Sequence, residues 1–217
     1  MWKRIPKEKS IPPTIGKYSD WKPLLAVEGY HQCLYCTISE SSFGGIRNFH
    51  VEHYRPKGIP RFSHLENDYS NLYYACAICN TFKSDDWPDD PDEMLTKACY
   101  PDPSKVDYAL LFGVDGITGL ATGKNLTGIY LSNKLYLNRA QLIIERRSRI
   151  AKKRYEELIN IIIEQKKVLF NLAKSGNKNA LILLENLDQK LSQVEAIFHL
   201  KDSTNPYNSN QTKKLTS

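Results

Sequence analysis

Nowhere in these 217 residues do eighteen apolar residues run together, so the sequence predicts no transmembrane helix. A basic-then-apolar leader is missing too, because Met1-Trp2-Lys3-Arg4-Ile5-Pro6-Lys7 is broken by proline almost at once. Cysteine is scarce. Of five, four fall into two CxxC pairs, Cys33/Cys36 and Cys76/Cys79, and Cys99 stands alone as a small buried hydrophobe. That usage fits a metal site in a reducing compartment, with a disulfide framework as the alternative. The expectation is a soluble, cytoplasmic protein.

What is present supports a core, since 41% of the residues are hydrophobic. The length allows one ordinary domain with an appended helical part. A net charge of +6 suits a polyanionic partner, because neutralising phosphates releases counterions. Mild basicity alone does not establish one.

The chain is organised around Cys33 to Lys83. Two CxxC pairs close a tetrahedral thiolate cage around zinc, with Cys33, Cys36, Cys76 and Cys79 as ligands and no open position. Between the pairs lie Phe49-His50-Val51-Glu52-His53-Tyr54-Arg55-Pro56-Lys57 and Asn67-Asp68-Tyr69-Ser70-Asn71-Leu72. Asn48 to His53 reads as a strand whose alternation aims Glu52 and His53 differently. Arg55 to Asn71 reads as a long loop and Leu72 to Ala75 as a second strand. A short helix then carries Asn80 and Lys83 on adjacent turns, and the acidic, proline-containing run after Ser84 stops it. A helix from Leu24 to Gln32 precedes the first knuckle, and a loop over 37–47 follows it.

Phosphodiester hydrolysis needs a base for water, a divalent cation against the phosphate, and a frame for both. His53 is the candidate base, because imidazole is neutral near pH 7. Glu52 and Asn80 carry hard oxygens suited to Mg²⁺ or Mn²⁺, while the soft thiolates keep zinc apart. An oxygen of Asn71 can orient the His53 ring. Arg55, Lys57 and Lys83 are candidate phosphate contacts, or else solvated surface charges. His50 shares the strand face of Glu52, as a second metal ligand or, more simply, a structural residue.

Residues 1–23 carry Pro6, Pro12, Pro13 and Pro23, predicting an extended arm that packs through Trp2 and Trp21. Segments around 109–114 and 117–122 flank an Asp115-Gly116 turn, predicting a hairpin. Asn138-Arg139-Ala140-Gln141 has the form of a capping box opening a helix to about Leu172. Gly176 breaks it. A second helix, 178–200, spaces Leu184, Leu187, Leu191, Val194 and Phe198 as a coiled-coil-like seam, facing the first helix or another chain. The basic cluster of Arg146, Arg147, Arg149, Lys152, Lys153 and Arg154 is either a solvated helix or a backbone-tracking nucleic-acid surface, with Arg146, Arg147 and Lys153 as its candidate contacts.

These motifs, in this order, resemble the HNH, or ββα-metal, nuclease motif: a zinc frame around an acidic-His step, a mid-loop Asn-Leu and a closing CxxC-Asn-x-x-Lys. The resemblance covers Cys33 to about Pro88 and implies that Asn71 positions the base. Glu52-His53-Tyr54-Arg55-Pro56-Lys57, Cys79-Asn80-Thr81-Phe82-Lys83 and the later Leu137-Asn138-Arg139 before a long basic helix are similar to a narrower group. These are the HNH proteins of Septu-type antiviral systems, including those attached to retrons. That resemblance extends to about Arg149. It implies a nuclease subunit held by an ATPase partner of the ABC or SMC-like kind, acting on nucleic acid during phage infection and leaving 5′-phosphate and 3′-hydroxyl ends.

The expected fold is therefore α+β: a zinc-framed ββα-metal (HNH) core over 24–131 with a flanking β-hairpin, a helical hairpin over 132–201, and a flexible tail over 202–217. The expected activity is a metal-dependent endonuclease, with DNA the favoured substrate and RNA (tRNA) the second. The rival is a zinc-stabilised nucleic-acid-binding adaptor that kept the frame without turnover.

Overall fold

A computed structural model describes residues 2–7 and 11–203, with side chains as far as Ala196. The chain divides into two compact units, one ending at Arg147 and the other beginning at Ser148. That division falls inside a helix, later than the expected start of a helical domain at 132. The fold is α+β, with two small sheets in the first unit. None of the described helices is long and apolar enough to cross a membrane.

The N-terminal arm lacks regular structure over residues 2–6 and is pinned by aromatics. Trp2 and Trp21 are buried, and the Trp2 indole N–H donates to the Tyr35 carbonyl at 2.7 Å. Helix α1, Lys22–Glu28, starts earlier than expected, because Pro23 fits the first turn, where no amide hydrogen is needed. It ends at Gly29, and the left-handed Tyr30 and His31 turn the chain toward the first CxxC.

Strands β1, Phe49–His53, and β2, Leu72–Cys76, pair antiparallel with Phe49 opposite Cys76 and His53 opposite Leu72. Helix α2, Ala77–Lys83, follows at once. Cys76 is its N-cap: the sulfur accepts from the Cys79 amide at 3.5 Å, so one residue ends the strand, caps the helix and faces the cage. All of β2 is buried, with Phe49 stacked on Tyr74 at a ring-centroid distance of 4.5 Å. Tyrosines fill this core without stranding their hydroxyls. Tyr54 donates to the Tyr100 carbonyl, Tyr73 to Asp102, Tyr74 to Glu40 and Tyr108 to the Pro101 carbonyl.

The expected hairpin is present as β3, Phe112–Val114, and β4, Ala121–Gly123. The Asp115 carboxylate organises its turn by accepting from the amides of Ile117 and Thr118. Helix α3, Leu126–Lys134, was not expected from the sequence. Asn125 caps it at the Gly128 amide, and a Cβ on Gly128 would lie 2.1 Å from the Leu111 carbonyl oxygen, so the close approach of helix to hairpin requires glycine.

The capping box at Asn138 is corrected. Helix α4, Ala140–Lys174, begins where expected, but the Asn138 amide bonds both polar groups of the Ala121 backbone in β4, at 2.8 and 2.9 Å. Two-point pairing with a strand edge takes the side chain away from the helix terminus. Arg146 is likewise corrected: it is 1% exposed and donates to the carbonyls of Gly119 and Leu137 and to Asn138, so it braces the first unit and offers nothing to a phosphate.

In the second unit, α4 continues and α5, Lys178–Ser203, follows a turn at the left-handed Gly176. Tyr155, Ile159, Ile162, Leu169 and Ala173 are the half-buried stripe of α4, and Leu184, Leu187 and Leu191 that of α5, with Lys166 paired to Asp188 across them. This is the expected helical hairpin for Leu184, Leu187 and Leu191. Val194 is exposed, the Phe198 side chain lies outside the described residues, and the tail falls within them only at 202–203.

Candidate active site and metal cage

The thiolate cage closes at the junction of the first knuckle with β2 and α2. The knuckle is a tight turn, with the Thr37 amide bonded to the Cys33 carbonyl, and it is tied to β2 by the Leu34 amide on the Tyr74 carbonyl at 2.9 Å. Cys33, Cys36, Cys76 and Cys79 are at most 2% exposed, and their sulfurs all lie within 4.8 Å of one another. The Cys36 and Cys76 sulfurs are 3.7 Å apart. A tetrahedron with zinc–sulfur bonds near 2.3 Å has edges of about 3.8 Å, so four free thiols at this spacing fit one zinc ion and no disulfide is formed. Arg139 sets a guanidinium nitrogen 3.5 Å from the Cys79 sulfur, where it offsets thiolate charge. The residue just before α4 supplies it; the sequence marked Leu137-Asn138-Arg139 as a motif but not its contact with the cage.

Beside the cage, a pocket of ≈ 440 Å³ opens along β1 and α2. Its lining includes His50, Glu52, His53, Lys57, Asn80 and Lys22. His53 is half-buried, and its Nε2 lies 3.0 Å from the Glu66 carbonyl oxygen. A carbonyl only accepts, so Nε2 carries the proton and Nδ1 keeps the lone pair in the neutral ring. Burial pushes the imidazole below its ordinary pKa near 6.5, against the opposing pull of the Glu66 carbonyl. The ring packs edge-on against Tyr18. Fixed, neutral and facing a pocket, His53 is equipped to accept a proton.

The other expected site residues divide. Asn71 is buried and does not touch the His53 ring: its side chain accepts from the Arg55 amide at 2.8 Å and donates to the Arg55 carbonyl at 3.0 Å. It holds the backbone just after the base, a correction to the expected ring contact. The Glu52 carboxylate accepts from Lys83 Nζ at 2.6 Å and from the Tyr35 hydroxyl at 3.1 Å. Lys83 also donates to the His53 carbonyl at 2.9 Å and is 1% exposed, so it is a buried counterion, corrected from a phosphate contact. Burial still raises the Glu52 pKa, because desolvation outweighs the attraction of the ammonium. The same burial keeps Tyr35 protonated as a donor. Both bonds fall on Oε1 of Glu52, which leaves its other oxygen untied by Lys83 and Tyr35, and Glu52 lines the same pocket as Asn80.

Asn80 does reach the pocket, with its amide 3.4 Å from His50 Nδ1. Lys57 lines the pocket and is held by Glu66 at 2.7 Å and the Tyr18 hydroxyl at 2.9 Å, while Arg55 is exposed beside it. Arg147 is exposed in the first unit, and in the second Lys153 is exposed and faces Glu157 at 3.7 Å. Sequence reasoning missed Lys22, Tyr18 and the Glu66 carbonyl. The first two sit in a segment read as an arm, and a backbone carbonyl leaves no residue-type signal.

No protein-family model matches the chain, and neither a curated protein nor a solved structure does.

Proposed function

We propose that the protein is a metal-dependent endonuclease that hydrolyses phosphodiester bonds, most readily in DNA, with zinc confined to the cysteine cage. The observation that carries this reading is the setting of His53: its Nε2 is engaged by the Glu66 carbonyl, which leaves Nδ1 the lone pair of the neutral ring, and the residue lines an open pocket with Asn80, Lys22 and Lys57. Nδ1 takes a proton from water, the oxygen adds to phosphorus, and the bond to the 3′ oxygen breaks as that oxygen takes a proton from solvent water, leaving 5′-phosphate and 3′-hydroxyl ends by the resemblance to HNH nucleases. A divalent cation, Mg²⁺ or Mn²⁺, supplies charge stabilisation for the phosphate and leaving oxygen when bound. Asn80 offers an oxygen for it, and Lys22 and Lys57 favour phosphate at the mouth.

The likeness of Glu52–Lys57 and Cys79–Lys83 to Septu-type HNH proteins extends the proposal to an effector subunit of an antiphage complex with an ABC or SMC-like ATPase partner. Recovery of such an ATPase with the tagged protein from its native host supports that extension, and its absence at native expression counts against it.

A second reading, the zinc-stabilised adaptor, is favoured by a specific observation: Asn71 and Lys83, expected at the base and on phosphate, serve the fold. Plasmid DNA and an RNA pool incubated with Mg²⁺ or Mn²⁺, wild type against His53→Ala, separate these readings. Cleavage of DNA that His53→Ala abolishes supports the nuclease. Preferential RNA cleavage moves the substrate, and binding without His53-dependent cleavage makes the protein an adaptor.

A further inference from the structure

Helix α3 ends at Lys134 in a Schellman turn: the Leu137 amide bonds the Ser132 carbonyl at 3.0 Å, and the Tyr136 amide bonds the Asn133 carbonyl at 3.2 Å. The residue that reverses the chain in such a turn is left-handed, and glycine usually fills it because a Cβ there is strained. Here it is Tyr136, at φ 47°. Glycine would serve the turn better, so the strain points to a use for the side chain. Packing supplies little of that use. The Tyr136 ring meets Phe82 of α2 at a centroid distance of 5.0 Å but is 62% exposed, and its hydroxyl bonds no other described residue.

The ring opens onto a pocket of ≈ 500 Å³ lined also by Ser132, Asn133, Asn138 and Arg139. Asn138 is already bonded to Ala121, and Arg139 is anchored by the Leu135 and Tyr136 carbonyls and the Cys79 sulfur, so its charge answers the cage. The Ser132 hydroxyl and the Asn133 amide bond no other described residue. A ligand therefore meets one broad ring, an amide and a hydroxyl. That chemistry suits a flat heterocycle with polar edges rather than a phosphate.

We propose that Tyr136 is a stacking platform for an unpaired nucleobase, with Ser132 and Asn133 at its edge, so that the protein engages single-stranded nucleic acid through a base as well as through phosphates. A base stacked and paired within a duplex has no free face for the ring. Helix α2 joins this site to the candidate active site, carrying Asn80 at one and Phe82 against Tyr136 at the other. The proposal rests on the nuclease reading for the strand that brings the base, but not for the stacking.

The test uses the full zinc-loaded chain without Mg²⁺ or Mn²⁺, so that nothing is cleaved. Two labelled probes of equal length are compared by fluorescence anisotropy: oligothymidylate, and an abasic strand with the same phosphates and no bases. Wild type is expected to bind the thymidylate about tenfold more tightly, the size of one stacked base. Tyr136→Gly is expected to erase that preference while binding the abasic strand as before. Its urea midpoint is expected to stay or rise, because relief of strain offsets the lost ring contact. Tyr136→Phe is expected to keep the preference. A wild type that binds both strands alike overturns the proposal, as does a preference that survives in Tyr136→Gly. So does a Tyr136→Gly midpoint well below wild type, which makes the ring a structural prop. Ribonucleotide versions of both probes tell RNA from DNA, and a preference that depends on Tyr136 in either supports the proposal. If cleavage needs His53 but base preference ignores Tyr136, this inference fails and the nuclease reading stands. If Tyr136 carries the preference and nothing is cleaved once Mg²⁺ or Mn²⁺ is added, the inference stands and the nuclease reading fails.

Discussion

The cysteine cage and the neighbouring pocket both draw on α2, through Cys79 and Asn80, yet they are opposites. The cage gathers four soft donors, all buried, at the spacing of a filled tetrahedron. The pocket gathers a few hard or borderline donors, partly exposed, around open space. A closed set of ligands holds a fold together, whereas an open one admits water and substrate. The Glu52–Lys83 pair has a foot in each description: it is a buried ion pair, and its carboxylate also lines the pocket.

The sharpest way to break this contrast is to empty the cage. Removing zinc with a strong chelator, or Cys79→Ser, is expected to abolish cooperative unfolding of the first unit, read by circular dichroism, because metal binding at such a site is folding free energy. A fold that survives demetallation contradicts the structural role. Next in size is Lys83→Met, which strands a buried carboxylate and is expected to cost about 3–5 kcal/mol in urea denaturation. If Lys83 were a phosphate contact, the same substitution would leave stability alone and lower the salt dependence of DNA binding. Tyr35→Phe, which removes one hydrogen bond to that carboxylate, is expected to cost about 1.5–3 kcal/mol. Smallest is Arg147→Gln with Lys153→Gln, two exposed charges whose loss is expected to stay within about 0.5 kcal/mol. Any effect of that pair appears as weaker, less salt-dependent binding to nucleic acid.

The same contrast governs what was legible in the sequence. The cage could be read outright, because CxxC spacing is local and its chemistry depends on residue type alone. The order of strand, loop, strand and helix was legible for similar reasons, from alternation and from β-formers around Cys76. Helix α3 was not, because a nine-residue amphipathic segment opening with Asn125 and containing Gly128 reads as loop until Leu111 and Gly123 are seen to need that glycine. In the pocket, residue type proved a poor guide to role. Lys83 and Arg146 look like phosphate ligands and are buried braces; Asn71 looks like a partner of the ring and holds backbone instead. Groups of this kind change meaning with burial, and burial depends on tertiary contacts, such as Lys83 with Glu52 and Arg146 with Gly119, that no local pattern encodes.

His53 carries the central claim, and its pH behaviour follows from its surroundings. Burial lowers its pKa, so the folded protein binds fewer protons than the unfolded chain as pH falls below about 6.5. That part of the stability is retained above pH 6.5 and lost on acidification toward the lowered folded pKa. Cleavage is expected to keep its full rate down through pH 6.5 and to fall only further into acid, as the ring takes up a proton. An acidic limb centred above 6.5 assigns the base elsewhere.

The most direct measurement is nitrogen-15 resonance of the His53 ring at pH 7 in the zinc-loaded protein. The account predicts a neutral imidazole with the proton on Nε2 and a bare Nδ1. A proton on Nδ1, or a doubly protonated ring at that pH, would contradict it.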